Sequence, residues 1–236
     1  MKHFAELFAR LDQTTRTSVK VKALCDFFQL ADDQDKLWTI ALFSGRRPKR
    51  SVTTTRLREW AAEAAGLPLW LIEDSYSVVG DLAETISLIL PTAEKTGDHS
   101  LTFWIKIVQT LGEKPEDLRK ADVVAAWCQL GTLERLLFNK LITGGFRVGV
   151  SQKLMTRALG QATGRDPADL AHRLMGNWTP DTISFADLVL NENDGADVSR
   201  PYPFCLAHAV DPETTPLGDP ENWRAEWKWD GIRGQL

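Results

Sequence analysis

Thr54-Thr55-Arg56-Leu57-Arg58-Glu59-Trp60-Ala61-Ala62-Glu63-Ala64-Ala65-Gly66-Leu67-Pro68-Leu69-Trp70-Leu71 is the stretch on which the fold turns. Leu57, Trp60, Ala61 and Ala64 recur at the spacing of one helix face. Thr54 or Thr55 caps that helix and Gly66 stops it, while Pro68 suits the first turn of another running through Trp70, Leu71 and Tyr76. Only Leu67 stands between the stop and the next start, so the chain passes from helix to helix with no room for a strand.

The same grammar extends both ways. Phe4, Leu7, Phe8 and Leu11 share a helical face, as do Leu37, Ile40, Ala41 and Phe43, with Gly45 as a stop. Ser100 caps a helix from Leu101 through Ile105 up to Gly112, and Thr132 opens one that closes at Gly144-Gly145. Ser151 opens a helix ending near Gly164; Asp166-Pro167 and Thr179-Pro180 each pair a capping residue with proline at the first helical position. Trp38, Trp60, Trp70, Trp104, Trp127 and Trp178 sit in these apolar patterns and are expected in the core. Residues 1–190 are therefore expected to form an all-α, multi-helix domain without a fixed repeat.

Composition is that of a globular protein, with 43% apolar and 25% charged residues in 236. The net charge of -4 argues weakly against nucleic acid as a partner, but charge is uneven. Arg46, Arg47, Lys49, Arg50, Arg56 and Arg58 fall in one stretch free of acids, whereas Glu192 to Glu221 is acidic. A locally basic face remains compatible with DNA. Three scattered cysteines fit reduced thiols, and four histidines lack metal-ligand spacing. The start of the chain carries an early acid, Glu6, unlike a signal peptide, and no apolar run reaches bilayer length. The expectation is a cytoplasmic monomer away from membranes.

The pattern changes after Leu190. Residues 191–202 read as a polar linker, and 203–236 as the start of a second, β-containing domain. Pro203 to Val210 and Trp223 to Trp229 look like short strands around a proline-bearing turn region. In the second, Ala225, Trp227 and Trp229 alternate with Arg224, Glu226 and Lys228. Period two puts Glu226 and Lys228 on one strand face, aimed at one pocket. Lys228-Trp229-Asp230-Gly231-Ile232-Arg233 has the pattern of a lysine that attacks a nucleoside triphosphate and holds the nucleotide through a phosphoramide bond. Such a lysine must lose its proton in a desolvated, cation-rich site, and the developing phosphate charge needs neutralising. A surface strand of alternating tryptophan and charge is the bland alternative. The glutamate two places before Lys228 and the arginine five places after it favour the chemistry.

With those residues in place, the chain resembles the N-terminal part of an ATP-dependent DNA ligase of the bacterial kind, in which a helical DNA-binding domain precedes the adenylation domain. Pro201-Tyr202-Pro203-Phe204-Cys205-Leu206-Ala207 is similar to the lead-in to that domain. The resemblance implies ATP and Mg²⁺ as cofactors, Lys228 as the adenylated lysine, Glu226 as the adenine reader, Arg233 as a ribose contact and Asp230 near the reacting centre. It implies nicked double-stranded DNA as the partner, in replication, repair and recombination. Gly144-Gly145-Phe146-Arg147-Val148-Gly149-Val150-Ser151-Gln152-Lys153 is similar to the turn and helix start with which these ligases hold DNA, which would make Arg147, Gly149, Ser151 and Lys153 contacts. Backbone amides at a helix start suit phosphate; on residues alone, the segment reads equally well as an ordinary interhelical turn. Arg46, Arg47, Lys49 and Arg50 form a candidate clamp on the DNA backbone, or else a solvated loop.

The sequence stops three residues past Arg233, at Leu236. The expectation is a chain that binds DNA but does not ligate by itself. The alternatives are a nonenzymatic DNA-binding module and an RNA ligase or capping-type nucleotidyltransferase; the long helical region argues against the last two.

Overall fold

The computed structural model describes residues 1–93, 97–146, 148–191, 218–224 and 227. Among them are eleven α-helices: α1 Lys2–Asp12, α2 Thr17–Leu30, α3 Asp33–Phe43, α4 Thr54–Ala65, α5 Leu69–Val79, α6 Leu82–Ile89, α7 Leu101–Thr110, α8 Glu116–Gln129, α9 Thr132–Thr143, α10 Gln152–Thr163 and α11 Pro167–Met175. Short 3₁₀ turns follow at Leu111–Glu113 and Pro220–Asn222, with a π turn at Ala186–Leu190. No strand occurs among the described residues. The expected strand over 203–210 and the Lys228 motif lie outside them.

The sequence signals set most of the boundaries. The Ser100, Ser151 and Asp166 side chains each accept a backbone N–H in the first turn of α7, α10 and α11. Gly66, Gly144 and Gly164 end α4, α9 and α10 in the left-handed conformation. Three expectations need correcting. The cap of α4 is Thr53, one residue before those expected, its hydroxyl accepting from Arg56 N at 3.3 Å. Thr179-Pro180 opens no helix: the Thr182 amide closes a turn onto the Thr179 carbonyl at 3.0 Å, and the Thr182 hydroxyl accepts from the Thr179 amide. Trp70 is 66% exposed. Ile72 is the one buried residue of α5, and a side chain two positions away on a helix is rotated by ~200° from it.

One apolar cluster runs from Met1 to Val189. At its middle lies α9, which packs on α1, α6 and α7 and buries residues on every side, among them Glu134, Arg135, Phe138 and Asn139. Arg135 is 2% exposed and donates to the carbonyls of Ser87, Leu90, Pro91, Trp127 and Leu130. These carbonyls belong to the ends of α6 and α8, where a helix leaves its last acceptors unpaired and favours a cation. Asn139 extends the network, accepting from Trp127 Nε1 at 2.7 Å and donating to Ala83 O at 3.4 Å. On the other flank α2 packs on α10, and α10 on α11. The helix α3, buried from Leu37 to Leu42, packs on α7, where the Asp35 carboxylate accepts from the amides of Leu101 and Thr102. Two deeply buried helices, α3 and α9, thus fix where the loops after them emerge.

Candidate nucleic-acid interface

The loop after α3 carries the basic run, and the loop after α9 carries the glycine turn. They meet: the Arg47 guanidinium donates to the Gly144 carbonyl at the end of α9. A depression lined by Phe43, Gly45, Arg47, Gly144 and Phe146 marks the junction. A second, of about 310 Å³, joins Ser44 and Arg46 to Gln152 at the start of α10. Segments about a hundred positions apart in sequence therefore share one surface.

The basic stretch is not equally available along its length. Arg46 donates to Trp178 O at 2.8 Å, Gly176 O at 2.9 Å and Leu174 O at 3.2 Å, and stacks on the Trp178 ring at 4.6 Å. Desolvation by burial lowers its pKa, yet an arginine so far above neutrality stays charged. Arg46 fastens the loop to the end of α11. At the loop's other end Arg119 donates to Ser51 O at 3.0 Å. Arg56 pairs with Glu59 at 2.8 Å and Glu116 at 3.2 Å, the Glu59 hydrogen bond being the main cause of its raised pKa. Arg58 pairs with Glu73 at 3.2 Å. Arg47, Lys49 and Arg50 remain exposed, with Arg50 Nε 3.4 Å from Val52 O.

These residues line an open groove of about 630 Å³ together with Glu113, Trp178, Pro180 and Asp181. Asp181 accepts from Gln109 Nε2 at 3.2 Å. The groove thus carries both basic and acidic side chains, and an anion would lodge beside the basic ones.

The glycine turn is anchored from below. The ring of Phe146 lies 6.0 Å from Phe4 and 6.3 Å from Phe8, and Val148 is buried. The buried Lys20 of α2 donates to Val148 O at 2.5 Å. Gly149, with φ at +62°, is exposed, as are Ser151 and Lys153. The Ser151 hydroxyl accepts from Leu154 N at 3.2 Å, which leaves the amides ahead of it directed outward along the helix axis. Arg147, Glu226, Lys228, Asp230 and Arg233 lie outside the described residues.

Sequence reasoning missed Lys20 and Arg119, and it placed Trp178 in the core without its part in holding Arg46. Each acts through a backbone group or ring brought close only by tertiary packing, so no local pattern marks it. Exposed side-chain cations and a helix start are groups that suit phosphate oxygens and carry no information about base sequence.

Residues 1–160 match the protein family described as DNA ligase N terminus. The chain is also similar to a protein named DNA ligase from Pyrobaculum islandicum, 23% identical over 69% of this chain and 32% of that protein. A DNA ligase from Pyrobaculum arsenaticum is 24% identical over 99% of this chain and 44% of its own length. One from Pyrobaculum neutrophilum is 23% identical over 68% and 31% respectively. The chain spans less than half the length of each of these relatives.

Proposed function

Because this chain belongs to the DNA ligase N-terminal family, we propose that its helical region, residues 1–190, holds nicked duplex DNA for an ATP-dependent DNA ligase. The observation that carries this reading is the Arg47–Gly144 hydrogen bond, which joins the basic loop and the glycine turn into one surface. Lys49 and Arg50 supply charge from the first loop; Gly149, Ser151 and Lys153 supply amides, hydroxyl and charge from the second. Arg147, between Phe146 and Val148 in the sequence, is proposed as a further phosphate contact. Arg46 and Arg47 serve chiefly by setting the course of the basic loop. Binding of this kind is salt-sensitive, because each neutralised phosphate releases counterions.

Residues 191–202 are proposed as the linker and 203–236 as the beginning of the adenylation domain. There Lys228 Nζ attacks the α-phosphate of ATP: the N–P bond forms, the bond to the bridging oxygen breaks, and pyrophosphate leaves. AMP then passes to the 5′-phosphate at the nick, and the 3′-hydroxyl displaces it as the strand is sealed. Glu226 reads the adenine, Arg233 contacts the ribose and Asp230 stands near the reacting phosphorus. Mg²⁺ supplies charge neutralisation at the phosphates. The protein is proposed to act as a monomer in the cytoplasm.

Binding of this chain to nicked duplex, intact duplex and RNA of matched length tests the reading. Nicked duplex is expected to bind at least tenfold more tightly than RNA. Equal or tighter binding of RNA would contradict it and favour an RNA ligase or capping-type enzyme.

A further inference from the structure

Lys20 is an unusual helix residue. It lies within α2, which packs on α10, and only 8% of it is exposed. Among the described residues no carboxylate pairs with it; its ammonium instead donates to two successive carbonyls, Val148 O at 2.5 Å and, more weakly, Gly149 O at 3.5 Å. A charge removed from water this far is costly unless it is hydrogen-bonded, so the geometry needs a reason.

The planar trans peptide provides one. In each peptide unit the C=O and the following N–H point in opposite directions. With the carbonyls of Val148 and Gly149 drawn inward to a buried ammonium, the amides of Gly149 and Val150 are turned outward. Successive carbonyls in an extended chain alternate sides, so both can face one cation only if the backbone bends sharply between them. Gly149 makes that bend, with φ at +62°, a conformation that side-chain-bearing residues rarely adopt. A Cβ at this position would also come within 2.9 Å of Lys20 Nζ, so the glycine and the lysine are coupled. Successive outward amides form a concavity that takes an anion. The first turn of α10, directly after it, presents its amides with the same polarity.

We propose that Lys20 is a positioning residue: from inside the fold it sets the 148–150 backbone so that the Gly149 and Val150 amides face a phosphate of the DNA strand. This inference rests on the DNA-holding function proposed above. Lys20 touches no phosphate itself. Its role is to make the glycine turn a preformed receptor, so that the loop is not ordered at the expense of affinity when DNA arrives.

The test is Lys20→Met, which keeps the aliphatic stem and removes the ammonium, assayed on nicked duplex across a salt series. Dissociation constants are expected to rise about tenfold near 0.1 M salt with the log–log salt slope little changed, because uncharged amides neutralise no phosphate and release no counterions. A second measurement needs no variant: in the amide NMR spectrum of the wild-type chain, Gly149 and Val150 are expected to shift on titration with nicked duplex. Wild-type affinity in a folded Lys20→Met protein would overturn the role of Lys20, as would a slope shallower by ~1, which would make Lys20 a direct phosphate contact. Stationary Gly149 and Val150 resonances while others move would overturn it too, even if the variant failed to fold. Absence of duplex binding by the wild type would instead overturn the proposed function, and this inference with it.

Discussion

Gly160 shows how tightly single residues are constrained on the flank that carries the glycine turn. It is buried in α10, and a Cβ there would lie 2.8 Å from Arg165 O and 3.0 Å from Pro167 Cγ. Alanine ordinarily favours a helix over glycine by about 1 kcal/mol, but here it would press against backbone that α11 holds in place. Gly160→Ala is expected to destabilise the protein by about 1–3 kcal/mol, the usual cost of overpacking, read as a lower denaturant midpoint. At this scale caps and stops were legible, because Ser100, Ser151, Asp166 and Gly66 act on amides and carbonyls within a turn of themselves. Lys20 was not. A lysine inside a helix looks like a solvated residue until a loop more than a hundred positions away closes over it. The basic run was legible as charge, but its division of labour was not: Arg46 looks no different from Arg50 until Trp178 and the α11 carbonyls are in place.

Among elements, α6 and α9 show how one side chain ties two helices. Asp81 caps α6, accepting from Glu84 N at 3.0 Å, and also accepts from Lys140 Nζ of α9 at 2.6 Å. Burial alone would raise this carboxyl, but the Lys140 hydrogen bond, the Glu84 and Ala83 amides and the charge of Lys140 bring it below its ordinary 3.8. A carboxyl depressed in the folded state contributes stability above its unfolded pKa and loses it as pH falls through the folded value. Asp81→Ala is therefore expected to cost about 1 kcal/mol at neutral pH, the gap to wild type closing as the solution is acidified below the ordinary value of 3.8. Equal gaps at neutral and strongly acidic pH would contradict this. Helices with an apolar stripe and a cap were legible, whereas α2, α6 and α8 carried weaker marks. The stripe of α2 is interrupted by the buried Lys20, and α8 buries only Val123, Ala126 and Trp127, late in its length. For α6 the signal existed in Gly80-Asp81, a left-handed stop followed by a cap. Thr179-Pro180 carried the same kind of signal, but Thr179 and Thr182 closed it into a turn.

For the whole molecule, what matters is where the core lets its loops out. One apolar cluster from Met1 to Val189 buries α3 and α9, and the loops that follow them converge at Arg47 and Gly144. Local periodicity therefore gave the all-helical class, while the joining of the two candidate segments depends on packing between distant helices. A protein with net charge -4 can still hold a polyanion when its exposed cations gather on one face and acids such as Glu59, Glu73 and Glu116 are paired with arginines elsewhere. The apolar face of α5, with Trp70, Val78 and Val79 exposed, has no part in that surface.

On the proposed function, the two loops act together as one phosphate-binding surface. The decisive comparison sets the wild-type chain against a Lys49→Ala, Arg50→Ala, Lys153→Ala triple variant, titrating nicked duplex DNA across a salt series. Affinity is expected to fall by an order of magnitude or more, with the salt slope shallower by ~0.9 for each phosphate no longer neutralised and the melting temperature little changed. Duplex binding by the wild type with the same affinity and slope in the triple variant would place the DNA on another face and overturn the two-loop surface.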